Sequence, residues 1–548
     1  MKNRFPLLLP LLIGGFLALV LLLLLPRDWM GDWGRGGTQR RQILPGANPR
    51  PPQLAEEEPD SAPEMMGIDP RWTEASEKIM ESLRRRLEGK DARDKEALLT
   101  FKSEEAYRKF LERAAAAGLK VVGKMDAFQA VRVAYDSLDD LHKDILENAG
   151  DYGDVSANYY AYMPDTPAKE ERAAQSEVAF GDEMLPFLGV FGDHSSWGKG
   201  VTVAVLDSGV TAYAGLDPGQ VRYIDIGQGL SGSGSEDGHG TAVGYLVDQV
   251  APGAEILSIR VTGADGVSDL FTLAQGIQTA VDSGASVINI SLGAYQNSLV
   301  LSAAIAYAAE RGVAVVAAAG NDQAAQLTWP AADNRVVSVG AVDALGQQAT
   351  FSNSGEDLSM TAPGYGINTP WLNGARVAFD GTSASSPIVA GAIAAILSQY
   401  PQMTTTQAAA FLQNHSNDEG APGADASYGA GILNLGWAMN SSNPQYLDTA
   451  VASQHFNNKT GQVEITLQNR SGLGVSGLQL QLTSGASQNL FNVPAMMAGS
   501  SYTVAFAVDQ TALNSAGGVT VRSRLINPSG VSDALPANNQ RGSVISKK

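Results

Sequence analysis

Five short, nearly unbroken apolar runs constrain this chain more than any other feature. They are "VTVAVL" (201–206), "EILSIRV" (255–261), "SVINISL" (286–292), "VAVVAAAG" (313–320) and "VVSVGAV" (336–342). A strand with one wet face alternates apolar and polar residues, whereas a strand covered on both faces is apolar throughout. Helical stretches, such as 268–283 and 298–311, fit between the runs. The expectation is an α/β core, a mostly parallel sheet with flanking helices, over 184–442.

The texture differs on either side of that core. Over 91–163 the order reads β-α-β-β-α-β, a small split α+β domain. Its strands are "EALLTF" (96–101), the pair within "LKVVGKMDAFQAVRVAY" (119–135) and "SANYYAYM" (156–163). Its helices lie at 103–118, with Ser103 as cap and a glycine stop, and at 137–150. Residues 164–183 are charged and contain proline, as an exposed processing linker does. From 446 to 548, segments such as "GQVEITLQN" and "VTVRSRLIN" alternate in polarity between Gly, Ser and Asn turns. That pattern predicts a small antiparallel β-sandwich.

At the N-terminus, residues 5–25 ("FPLLLPLLIGGFLALVLLLLL") are uncharged and long enough to span a bilayer. No A-x-A cleavage pattern follows, so 1–26 reads as a retained transmembrane or signal anchor. Basic residues on both flanks leave its orientation open. Residues 27–90 read as a Pro-, Gly- and charge-rich linker followed by a polar helix. The formal net charge of −19 argues against a phosphate-neutralising nucleic-acid binder and reads as solubility. The absence of cysteine excludes disulfides, thiolate catalysis and Cys-based zinc sites.

Four short motifs carry the chemistry. Asp207 in "AVLDSGV" follows the first core strand, where α/β sheets put their sites. His239 lies between two glycines in "EDGHGTAV", an approach that lets a substrate backbone come close. Asn321 ends a buried run in "VVAAAGND", and Ser383 stands in "GTSASSP" before the helical "IVAGAIAAIL". Taken singly, the Asp, Asn and Ser are ordinary turn or cap residues. Together they supply an acid, a base, an oxyanion donor and a nucleophile.

In that order, "DSG", "HGT" and "GTSASSP" resemble the subtilisin-like serine proteases (subtilases) over about 184–440. "SLG" (291–293) and "TAPG" (361–364) extend the likeness. The resemblance implies a subtilisin-like fold and a serine endopeptidase working through an acyl-enzyme. It casts Asp207, His239 and Ser383 as the catalytic residues and Asn321 as the oxyanion-hole donor. Ser291, Leu292 and Gly293 would form one wall of the specificity pocket, and Ala319 and Gly320 the other. Thr328 would narrow its base, giving a preference for apolar residues before the scissile bond. The order of elements over 91–163 is similar to the family's inhibitory propeptides, which implies a self-processing zymogen. The expected partners are therefore a peptide or protein substrate, the chain's own propeptide, and the membrane through residues 5–25. The expected location is the bacterial cell envelope, either anchored with the catalytic domain outside the cytoplasm or secreted after processing.

The chain departs from the family pattern at three points. Ala242 stands where a second His is frequent, Ala384 where Met is common, and Ile388 where His is common. The chain also reaches "VAPG" soon after Ala242, so a familiar calcium loop looks absent. No cofactor is expected for catalysis and no metal ligand is assigned. A structural Ca2+ is compatible with the resemblance, but at no specific site. The competing reading is an inactive surface adhesion or scaffold protein on a protease fold. Neither G-x-S-x-G nor H-E-x-x-H occurs, which removes the esterase and common zinc-protease readings.

Overall fold

The computed structural model describes residues 91–163, 177–211, 216–227, 237–263, 265–484, 487–508, 513 and 519–545. The expected anchor, the linker and polar helix before residue 91, and residues 164–176 of the processing linker lie outside these. No helix among the described residues is long and apolar enough to cross a membrane.

The first elements are β1 (Ala92–Phe101), α1 (Glu104–Arg113), β2 (Leu119–Met125), β3 (Ala130–Tyr135), α2 (Leu138–Glu147) and β4 (Tyr152–Tyr162). Ser103 caps α1 by accepting a bond from the Ala106 N–H at 3.2 Å. The central elements begin with β5 (Thr202–Asp207), β6 (Val221–Asp225), α3 (Asp237–Val250), β7 (Glu255–Arg260) and β8 (Val267–Asp269). Next come α4 (Leu270–Asp282), β9 (Val287–Ile290), α5 (Leu299–Glu310), β10 (Ala314–Ala318), β11 (Val337–Val342) and β12 (Met360–Pro363). A hairpin, β13 (Ile367–Pro370) and β14 (Arg376–Phe379), leads into α6 (Thr382–Gln399).

The five apolar runs are strands of one sheet in the order β12-β11-β10-β9-β5-β7-β6, with every pairing parallel. Their continuous apolarity has a simple cause. Ala204, Leu206, Ile288 and Ile290 face the core formed with α4 and α5. Val203, Val205, Val287 and Val316 face the opposite core, formed with α3 and α6. Both faces are covered, so neither needs a polar residue. The chain reverses its direction of travel across the sheet between β5 and β9. A crevice opens there at the carboxyl ends of the strands.

Two features were not visible in the sequence. The small sheet has five strands, in the order β2-β3-β1-β4-β8, because the three-residue β8 joins it from the central region. Tyr160 pairs with Asp269, Ala161 with Ser268, and Tyr162 with Val267. Asp269 secures the junction: its buried carboxylate accepts from the Thr272 N–H at 2.8 Å, capping α4, and from Arg93 Nε at 2.5 Å. The second feature is the β13–β14 hairpin.

The C-terminal region contains a three-stranded sheet of β15 (Thr449–Asn457), β16 (Gln462–Asn469) and β19 (Ser501–Ala507). Facing it is a four-stranded sheet of β17 (Gln479–Ser484), β18 (Ser487–Asn492), β20 (Val519–Ile526) and β21 (Gln540–Ile545). All pairings are antiparallel, and one core containing Val463, Ile465, Leu480 and Val521 lies between the sheets. This is the sandwich that the alternating pattern predicts. It is tied to the central region by Arg541, whose two terminal nitrogens donate to the Glu419 carboxylate.

Candidate active site

The four candidate residues come from β5, α3, the segment after β10 and α6. Asp207, the last residue of β5, is fully buried, and its Oδ1 accepts from the Ser208 N–H at 2.7 Å. His239 lies in the first turn of α3, with Nδ1 2.9 Å from Asp207 Oδ1 and 3.0 Å from Oδ2. The imidazole is thus held through one nitrogen. The adjacent Gly240 N–H donates to Ser208 Oγ at 3.1 Å, fixing β5 against α3.

The glycines around His239 serve packing, contrary to the expectation that they admit a substrate. A Cβ on Gly238 would come within 2.3 Å of the Trp371 ring. One on Gly240 would come within 2.5 Å of the Gly209 carbonyl. Phe379 meets the His239 ring edge-on, with centroids 5.2 Å apart.

Ser383 is the second residue of α6 and is buried. Its hydroxyl donates to the Ser291 carbonyl at 3.4 Å. The serine and threonine cluster does not cap its own helix; the N-cap is Gly381, at φ 116°. Asn321, beyond the end of β10, does that work instead. Its Oδ1 accepts from the Thr382 N–H at 2.9 Å and from Thr382 Oγ1 at 2.8 Å. These bonds orient the amide, oxygen on the helix end and NH2 on the other side.

Pro387 is the sixth residue of α6, inside the helix and beyond the first turn. It removes the N–H that would bond to the Ser383 carbonyl. Ser291 Oγ donates to that carbonyl at 3.2 Å and takes the missing role. Ser385 and Ser386 also bond locally, Ser385 to the Ala362 and Pro363 carbonyls and Ser386 to Ser291 Oγ.

The expected pocket residues divide. Gly293 and Thr328 line a cleft of about 790 Å³ that also contains His239. Thr328 fills the space between the two walls: a Cβ on Gly293 would meet its Oγ1 at 2.5 Å, and one on Gly320 its Cγ2 at 2.9 Å. Ser291 and Ala319 are buried behind the wall, and Leu292 belongs to the core beneath. Tyr295 and Asp322 are among the lining residues that sequence reasoning missed. The Tyr295 hydroxyl donates to Asp322 Oδ2 at 2.5 Å; burial, then the carboxylate, push that hydroxyl's pKa up. Adjacency to Gly293 and Asn321 was the signal that could have found them.

The end of β4 lines the same cleft. The Tyr162 N–H donates to the Gly293 carbonyl and the Gly293 N–H to the Tyr162 carbonyl, each at 2.9 Å. Met163 N–H reaches the Gly266 carbonyl at 3.4 Å. Ala161 is completely buried, whereas Tyr162 is 41% exposed. No group of three or more His, Asp or Glu suited to a metal ion occurs among the described residues.

Comparison with known proteins accords with this geometry. The model of the subtilase family matches residues 198–431. Subtilisin BL of Lederbergia lenta is 34% identical over 247 residues, covering 43% of this chain and 90% of that protein. A thermostable alkaline protease of Halalkalibacterium halodurans is 33% identical over 252 residues, covering 44% of this chain and 68% of the relative. Among solved structures, fervidolysin of Fervidobacterium pennivorans, a keratinolytic enzyme related to subtilisin, shares the fold at 21% identity. Its TM-score is 0.55, over 84% of this chain and 77% of that one. With nearly the whole of a subtilisin matched at this identity, on a parallel sheet that brings the expected acid and base together, the chain belongs to the subtilase family of serine endopeptidases.

Proposed function

We propose that Ser383 is the nucleophile, His239 the general base, Asp207 its orienting acid and Asn321 the oxyanion donor, in an enzyme made as a self-inhibited zymogen. The observation that carries this reading is the pairing of His239 Nδ1 with both oxygens of a buried Asp207. That contact fixes the tautomer with the proton on Nδ1 and leaves Nε2 as the proton acceptor. Ser383 Oγ turns from the Ser291 carbonyl toward Nε2, attacks the peptide carbonyl, and gives its proton to His239. The proton passes to the departing amine, and the acyl-enzyme is hydrolysed by the same steps with water. The Asn321 amide and the Ser383 backbone N–H stabilise the oxyanion, helped by the positive end of α6.

Residues before the scissile bond lie antiparallel between Gly293 and the 266–269 segment, as Tyr160–Met163 do. Their last side chain enters a pocket whose base Thr328 closes, which favours small apolar groups over aromatic ones. The same register supports the reading of residues 91–163 as an intramolecular inhibitor, since a strand there excludes substrate. The apolar run 5–25 would hold the uncut chain at the membrane, with the catalytic region outside the cytoplasm.

A fluorophosphonate probe tests the catalytic assignment directly. It should label the matured wild-type protein and fail to label Ser383→Ala. Equal labelling of the two would remove Ser383 as nucleophile, and no labelling of either would support an inactive scaffold.

A further inference from the structure

The oxyanion candidate lies on an exposed piece of chain. Asn321 opens a turn in which Asp322, Gln323, Ala325 and Gln326 are all exposed. Gly320 and Gln323 take φ of 109° and 54°, so the chain is in the left-handed region on both sides of Asn321 and Asp322. For Gln323 that conformation is unfavourable by itself. A donor that must meet a developing oxyanion has to be held to within about half an ångström, and loops hold side chains less well than helices or strands. The turn needs a support from outside.

Asn353, in the segment between β11 and β12, supplies it. The residue is completely buried and is not among those lining the cleft. Its Oδ1 accepts from the Asp322 and Ala324 N–H groups, each at 2.9 Å. Its Nδ2 donates to the Tyr295 hydroxyl at 3.1 Å and to the Ala319 carbonyl at 3.2 Å. Its backbone N–H donates to the Gly320 carbonyl at 2.9 Å. The side-chain amide is thereby used to its full capacity of donors and acceptors. Two of these bonds matter most for the site. The Gly320 carbonyl belongs to the peptide unit before Asn321, and the Asp322 N–H to the unit after it. Asn353 thus holds both peptide planes that meet at the Asn321 Cα, which sets the direction in which that side chain leaves the backbone. Thr382 then takes the Asn321 oxygen. The neighbours of Asn353 extend the hold: the Gln323 N–H donates to the Phe351 carbonyl at 2.8 Å, and the Ser354 N–H to the Ala324 carbonyl at 2.9 Å. Phe351 is itself anchored in a small core with Ala341 and Ala349.

We infer that Asn353 is a positioning residue for the oxyanion, one that acts only through Asn321 by holding that donor's backbone with its side-chain oxygen. This rests on the reading of Asn321 as the oxyanion donor.

The test is a double-mutant cycle on the full chain. Each protein is matured by an unrelated site-specific protease at a recognition sequence placed within residues 164–176, so that no variant depends on its own activity. Rates are taken per site labelled by the fluorophosphonate probe, which removes unfolded protein from the comparison. Asn353→Ala should lower kcat about ten- to a hundredfold, the cost of a misplaced group, with KM within about twofold of wild type. In the Asn321→Ala background the same change should alter kcat by less than about threefold, because the group it positions is gone. Asn353→Asp keeps the acceptor for Asp322 and Ala324, so its kcat should stay within about fivefold of wild type. If the losses of Asn353→Ala and Asn321→Ala multiply in the double variant, Asn353 acts independently of the donor and the inference is wrong. A raised KM with intact kcat overturns it as well. Should Asn353→Ala not fold, Asn353→Asp goes through the same cycle, and any loss that persists without Asn321 overturns the inference. Wild-type kcat in Asn321→Ala alone removes the donor assignment itself, a failure the cycle shows separately.

Discussion

Asn321 shows how much one side chain does here. Its oxygen caps α6 through Thr382 while its NH2 faces away from the helix end. The Asn321→Ala variant should therefore have two effects of different kinds. Loss of the cap should cost about 1 kcal/mol of stability. Loss of the donor should lower kcat on the order of 10²–10³, the size known for such a donor in subtilisin. KM should change far less, because the oxyanion exists only in the transition state. Steady-state kinetics on one short peptide separate these effects, and a variant with raised KM and intact kcat contradicts the assignment. Asp207, His239, Asn321 and Ser383 were legible as candidates because each lies in a short motif whose neighbours are local. Trp371 and Tyr295 were not, because they reach the site only through the folding of the loops that carry them.

At the level of the element, α6 is a helix with a defect repaired from outside. Pro387 leaves the Ser383 carbonyl without its helical donor, and Ser291 Oγ supplies one from the segment after β9. The same hydroxyl accepts from Asn289 Nδ2 at 3.1 Å, so it joins the sheet to the helix. The Ser291→Ala variant leaves a buried carbonyl unsatisfied, at a cost of about 1–3 kcal/mol. Its first thermal unfolding midpoint should fall by several degrees (about 2–4 °C per kcal/mol at this size). A midpoint equal to wild type would show that the bond contributes nothing. The sequence predicted the helix. A backbone donor deficit has no sequence signature when its replacement is nearly a hundred residues away.

For the whole molecule, the decisive contact is the one between β4 and the cleft. It joins the small sheet to the central one through β8 and Gly293, with Arg93 and Asp269 as a second tie. A cut in the segment after Met163 would leave the first 163 residues, including the run 5–25, on one fragment. The protease and sandwich would be on the other. Wild type should then yield a soluble C-terminal fragment of about residues 185–548, whereas Ser383→Ala should remain full-length with the membrane. Fractionation and a blot against the C-terminus check this. A soluble product of the same size from Ser383→Ala, made without another protease, rules out self-processing.

The sequence by itself determined the parallel core, because strands covered on both faces must be apolar at every position. It also determined the sandwich, because strands covered on one face must alternate. It singled out the four proposed site residues, because their neighbours along the chain are part of their chemistry. Only the tertiary structure decided that Ser291 completes α6 and that Trp371 stands beside His239. Only it, too, decided that three residues of β8 recruit the end of β4 to the cleft. Each of these is a contact between segments far apart in sequence, made by residue types that are equally at home elsewhere. Local pattern carries no information about such contacts, and packing selects them.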